Sequence, residues 1–228
     1  MKVLDPGRLF QLILSWSEVW VVLIPLFILL KTRKKQPLFL KPVIVYLWLA
    51  LLMNLSSDVI ADFKSFFPKW VQSNNPLYNI HSIIRFSCFS YFFILLRKPS
   101  ERIFKRFIPL IWVLFITINF SFFENFFNPR NLSGNLLALE SYLLLICCMQ
   151  YYLSQLRNEV EKISSEKDFW VVTGLSIYVV VNFFLFLFYV PMIKQNPFLT
   201  GRMWDIHNVA YIIFCTLIAK AFYVSNSN

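Results

Sequence analysis

A chain of 228 residues that is 58% hydrophobic and only 15% charged, with a mean hydropathy of +0.60, is too apolar for an ordinary soluble domain and reads as an integral membrane protein. Seven spanning helices of about 20 residues would use roughly 140 residues, and the remainder leaves no room for a fused kinase, a nucleotide-binding domain or a large ectodomain. The formal net charge of +10 does not point to nucleic acid, because the basic residues cluster at the ends of apolar runs, as orientation signals do.

Taken in chain order, the first apolar run covers 11–30. It is long, carries Glu18, lacks a small-residue cleavage site and is followed by Lys31, Arg33, Lys34 and Lys35, so it reads as a first helix and not as a signal peptide. Pro25 is the expected kink in it. The second run, 42–63, places Asn54, Asp58 and Asp62 four residues apart on one face. The third, 77–96, presents His81, Arg85 and Cys88 together. The fourth, 107–124, has Asn119 as its only strongly polar centre and is expected at the lipid-facing periphery. The fifth, 136–156, aligns Glu140, Cys147 and Tyr151; the sixth, 169–190, aligns Gly174, Tyr178 and Asn182; the seventh, 204–224, aligns His207, Tyr211 and Cys215. Lipid would penalise those stripes, so they should turn inward and meet. The expected fold is therefore all-α: one polytopic domain over 1–228 with seven transmembrane helices. The four cysteines lie in apolar stretches and are expected to pack as small hydrophobes.

Orientation follows from Lys and Arg on alternate sides. Fourteen fall in the first, third and fifth loops and near the C-terminus, seven on the opposite side, and Arg85 inside the third helix completes the 22. The excess marks the cytoplasmic side, giving an N-terminus outside and a C-terminus inside. The expected location is the cytoplasmic (inner) membrane, multi-pass. Trp70, Trp170 and Trp204 fit interfacial belts, and Lys220 a cytoplasmic anchor.

An ionisable residue inside a span is a functional-site hypothesis by default. At about 1.5 Å per residue, Glu18, Asp58, His81, Arg85, Glu140 and His207 all lie within about 12 Å of the outer surface. A transmembrane proton or ion path would spread polar groups through the whole depth, whereas a pocket open to the outside would place them as found. For Arg85 two readings stand side by side: an ion pair with Glu140 or Asp58 that fixes packing, and contact with an anionic ligand group. Glu140 divides in the same way between packing and ligand. His81 and His207 read as hydrogen-bonded core residues or as ligand contacts, and Asp62 and Asp205 as solvated interface residues.

A zinc hydrolase would draw on His81, His207, Asp58 and Glu140, which share a depth on separate helices, yet no histidine pair occurs at i, i+4. The seven-helix alkaline ceramidases use more histidines than the two present here. A retinal protein fits poorly, because Lys220 lies near the cytoplasmic end. No glycine-flanked serine of the rhomboid kind occurs, and the PQ dipeptide of sugar transporters is present only in reverse, as Gln36–Pro37.

The stretches LALESYLLL (137–145), GLSIYVVVNFFLFLF (174–188) and WDIHNVAYI (204–212) resemble a set of small, uncharacterised bacterial seven-helix membrane proteins. On that resemblance Glu140, Tyr178, Asn182 and His207 are the matching positions, whereas Arg85 departs from a carboxylate expected there. Members are often encoded beside sensor kinases, which implies a signalling role. The resulting expectation is a receptor-like membrane sensor without a cofactor, more a binding protein than an enzyme. Its outward-facing pocket, lined by Glu140, Arg85, His81, His207, Asn182, Tyr178 and Asp58, would take a small or amphiphilic ligand. It would signal through a cytoplasmic or membrane partner. A zinc-dependent lipid hydrolase and a structural subunit are the alternatives.

Overall fold

The computed structural model describes residues 6–32, 35–68, 73–96, 102–128, 132–157, 166–193 and 197–224. Trp70 and the loop cations Lys2, Arg33, Lys34, Lys69, Arg97, Lys98, Arg130, Lys162 and Lys194, which entered the orientation argument, lie outside them.

Among the described residues the secondary structure is entirely helical: α1 (Pro6–Ser15), α2 (Ser17–Thr32), α3 (Lys41–Asp62), α4 (Asn75–Leu95), α5 (Arg102–Ile118), α6 (Gly134–Arg157), α7 (Lys167–Ile193) and α8 (Pro197–Tyr223). Each predicted run contains a helix. Proline in the first turn starts α3 and α4, where its missing N–H costs nothing. A π-helical turn, Asn119–Phe123, ends α5.

Among the described residues four segments are long and apolar enough to cross a bilayer: Leu38–Asp62, Gly134–Arg157, Lys167–Tyr189 and Gly201–Tyr223. A fifth is the bent pair of α1 and α2, whose axes meet at 63°. That bend corrects the first helix. The break lies at Trp16, between Ser15 and Ser17, and not at Pro25, which α2 carries without interruption. Freed carbonyls at the end of α1 find side-chain donors instead of the next helical turn. Trp20 Nε1 donates to Ile13 O at 2.9 Å and Asn208 Nδ2 of α8 to Leu14 O at 3.0 Å, while Leu12 O keeps the Trp16 amide at 3.2 Å and also accepts from Ser15 Oγ at 2.9 Å. Asn54 Nδ2 of α3 adds a bond to Glu18 O at 2.8 Å. Non-helical backbone at membrane depth survives only where protein groups satisfy it in this way.

The helices close into a ring: α2 packs on α3, α3 on α4, α4 on α6, α6 on α7, α7 on α8, and α8 back on α2. The α7–α8 seam is the most extensive. Gly174 sits in it, and a Cβ there would come within 3.1 Å of both Leu217 Cβ and Phe214 O, so only glycine lets the backbones approach this closely. α5 packs chiefly on α4 and α6 and turns Leu110, Ile111, Val113 and Leu114 outward, in the peripheral position its sparse polarity predicted.

Inside the ring an aromatic and aliphatic core holds Tyr46, Phe86, Phe89, Phe92 and Phe214, all essentially inaccessible. Tyr178 stacks on Phe214 at 5.1 Å. The four cysteines are free, and all but Cys88 are fully buried. On the outside Phe27, Leu30, Trp48, Leu52, Phe184 and Leu187 are exposed, the surface a bilayer would cover. Lys220 is exposed, with Nζ 3.5 Å from the ring centroid of Trp170, a cation–π anchor between the two residues assigned to membrane interfaces.

Candidate ligand pocket and buried polar network

The inward faces of α4, α6 and α7 meet at Arg85. Its Nε donates to Glu140 Oε1 at 2.5 Å and its Nη2 to Glu140 Oε2 at 2.7 Å, a bidentate pair. Ser82, one turn before Arg85, donates to the same Oε2 at 2.6 Å, and Arg85 Nη1 donates to the Tyr178 hydroxyl at 2.6 Å. Arg85 and Glu140 are 5% and 1% exposed. Two charges at that burial are sustained only by such pairing and by filling their remaining hydrogen-bond positions.

A second pair joins α2 to α8. His207 Nε2 lies 2.9 Å from Glu18 Oε1, and both residues are buried. The other ring nitrogen, Nδ1, lies 2.5 Å from Asn182 Oδ1. Asn182 Nδ2 is already committed to the Tyr178 carbonyl at 2.8 Å, so Oδ1 must accept and His207 Nδ1 must carry a proton. Tyr178 thereby links the two pairs, through its hydroxyl to Arg85 and through its carbonyl to Asn182.

Between the pairs is a void of about 10 Å³ lined by residues that include Glu18, Asn54, His81, Arg85, Tyr178 and His207. That is room for about one water molecule. His81 stacks on Tyr46 at 5.8 Å, and its Nε2 is buried without a hydrogen-bond partner. A small-molecule ligand does not fit in this layer.

It fits in the layer above. A cavity of about 300 Å³ opens where α3 ends, α4 and α8 begin, and α1 meets α2; its lining includes Trp16, Asp58, Asp62, Tyr78, Tyr189 and Trp204. Tyr78 and Trp204, packed edge to face at 5.3 Å, border both the cavity and the small void and so form the partition between them. Trp204 in turn stacks on His207 at 5.0 Å.

Of the seven residues singled out from the sequence, Arg85, Glu140, Tyr178, Asn182 and His207 thus join one bonded network, and His81 borders its void. Asp58 stands apart, half-buried in the wall of the upper cavity. His81, His207, Asp58 and Glu140, the set a zinc ion would draw on, do not assemble, and among the described residues no group of three or more His, Cys, Asp or Glu is placed to hold a metal ion. The reason is local. Both Glu140 oxygens are taken by Arg85 and Ser82, and both His207 nitrogens face Asn182 and Glu18.

Several contributors escaped sequence reasoning. Glu18 was visible as a charge within a span, and Ser82 lies one turn from Arg85, but Asn208 gave no signal beyond its place beside His207. At the C-terminal end of α5, Glu124 Oε2 accepts from Asn119 Nδ2 at 2.8 Å and from Ser133 Oγ, tying the π turn to the start of α6. Asn79 Nδ2 of α4 donates to Phe126 O at 2.8 Å in the same region. No protein family matches the chain, and neither a curated protein nor a solved structure was found to be similar to it.

Proposed function

We propose that the chain is a seven-span, receptor-like membrane protein whose outer cavity binds a small ligand and whose bundle passes the change to a separate partner. The observation that carries this reading is the cavity of about 300 Å³ seated on a filled polar network, since ligand sites are concave, partly preformed and few per protein. Trp204 connects the two layers: it borders the cavity and stacks on His207, which bridges α8 to α2 and α7. A ligand that displaces the indole would therefore disturb contacts among three helices at once.

Seven spans follow once α4 and α5 are counted with the bent pair and the four long helices. Averaged hydropathy undervalues α4 because Asn79, His81, Ser82, Arg85 and Ser90 are all buried, leaving Ile80, Tyr91 and Ile94 to face lipid. The segment Phe107–Phe123, short for a span, is apolar. The positive-inside count then puts the cavity on the outer side and the basic first, third and fifth loops on the cytoplasmic side, where a partner would dock.

The span count is tested by labelling single cysteines with a membrane-impermeant maleimide, in a background with the four native cysteines replaced. Phe66→Cys and Phe127→Cys should label in intact cells, and Ser100→Cys and Tyr223→Cys only after permeabilisation. Labelling of Ser100→Cys in intact cells would remove α4 and α5 as spans.

Ligand binding is tested by thermal shift of the detergent-purified protein against a small-molecule library, beside an Ala61→Trp variant that fills the cavity. Compounds that bind there should raise the melting temperature of the parent and leave Ala61→Trp unmoved. No shift with any compound, or shifts retained by the filled variant, would sink the reading.

A further inference from the structure

The cavity walls specify a charge type. We infer that its ligand is a small organic cation carrying an ammonium group; the inference rests on the outer cavity being the ligand site.

Among the described residues two carboxylates, Asp58 and Asp62, line the cavity, and no lysine or arginine does. Asp58 is half-buried; its Oδ2 is covered by protein and has no hydrogen-bond partner there, so a cation in the cavity acts on this carboxylate through its charge and not through a bond to Oδ2. It also feels the negative charges of Asp62 and of Glu18 beneath it. A carboxylate in that setting gains most from a positive charge brought close to it. The anionic alternative has no counterpart among the described wall residues. The nearest buried cation, Arg85, lies in the lower layer with its guanidinium bound to Glu140 and Tyr178.

The remaining wall is aromatic. Trp16, Tyr78, Tyr189 and Trp204 line the same space, with Tyr189 and Trp204 at 5.9 Å and 48° and Tyr78 and Trp204 at 5.3 Å and 83°. Rings inclined to one another around a space present faces from more than one direction, and an aromatic face attracts a cation through its quadrupole. Carboxylates alone would equally suit a hydrated metal ion. Indole and phenol walls favour a cation clothed in carbon, whose methyl or methylene groups pack on the rings while the charge remains with Asp58. A volume of about 300 Å³ matches a compact molecule of this type.

Three compounds of nearly one shape separate charge from size: choline (cation), 3,3-dimethyl-1-butanol (neutral) and 3,3-dimethylbutyrate (anion). Equilibrium binding of each to the purified full chain in detergent is expected to rank choline tightest, by about tenfold or more over the alcohol. The butyrate should be weakest. Asp58→Asn should weaken choline by about tenfold and leave the alcohol unchanged. Asp62 is exposed, so Asp62→Lys tests the same charge at a position where folding is not at stake; choline binding should fall and alcohol binding should hold.

Choline failing to bind, or binding no better than the alcohol, or being insensitive to both substitutions, overturns the cationic assignment. The pocket reading fails separately. If the alcohol or the butyrate binds best and loses its binding in Ala61→Trp, the cavity remains the ligand site and only the charge type is wrong.

Discussion

Arg85→Met is expected to destabilise the folded bundle by about 3–5 kcal/mol, because it leaves Glu140 as an unpaired charge in a dry interior. Ser82 alone would then donate to that carboxylate, and the Tyr178 hydroxyl would lose its donor. Glu140→Leu should cost a similar amount by stranding the guanidinium. Arg85→Lys should rescue little, since an ammonium cannot reproduce the side-on pair to both Glu140 oxygens together with the bond to Tyr178. The double substitution Arg85→Met/Glu140→Leu should recover most of the loss, as replacement of a whole buried pair by apolar groups commonly does. Reversible unfolding in mixed detergent micelles measures all four variants. A double mutant no more stable than either single would show that the two residues do not act as a unit. The same double mutant also separates packing from binding. It alters only the lower layer, so choline affinity in the cavity above should stay within about threefold of the parent, a difference of about 0.6 kcal/mol.

The helical periodicity of the polar residues was legible because each helix carries its own stripe. Arg85, Glu140, Tyr178, Asn182 and His207 all point inward as a four-residue repeat requires, and of the two carboxylates that the sequence offers Arg85, Glu140 and Asp58, it is Glu140 that pairs with it. Depth within one stripe was harder to read. Asn54 and Asp58 share a face of α3, but one helical turn of about 5.4 Å separates them. That turn puts Asn54 in the lower network and Asp58 in the cavity wall. Trp204 looked like an interfacial anchor, and only the packing of α4 and α7 around it makes it a partition. The bend at Trp16 was not legible at all. Its sequence holds neither glycine nor proline, and the donors that sustain it come partly from α3 and α8, far away in the chain. The averaged hydropathy of α4 is low for a related reason: it counts a buried, paired arginine as though the side chain were exposed.

Loss of the distant donors should loosen the α1–α2 bend unequally. Leu14 O is the more dependent acceptor. Its regular partner would be the Glu18 amide, which lies beyond the break, so Asn208→Leu orphans it in a buried setting at a cost of about 1–3 kcal/mol. Glu18 O is inside α2 and within reach of that helix's own amides. Asn54→Leu should therefore cost less, about 0.6 kcal/mol, the average for hydrogen bonds between membrane helices. Both substitutions act on one bend, so the double mutant should fall short of the sum. Hydrogen exchange of the amides between Leu9 and Trp20 should quicken in Asn208→Leu before any other part of the bundle responds. The bend also sets the cavity wall, since Ser15 and Trp16 line it from the break itself. Asn208→Leu should accordingly weaken choline binding even though Asn208 is not among the cavity's lining residues, whereas the Arg85→Met/Glu140→Leu pair should not. If Asn208→Leu leaves both exchange and binding unchanged, α1 holds its angle through the local bonds of Ser15 and Trp20 alone, and the asparagine of α8 is a passive neighbour.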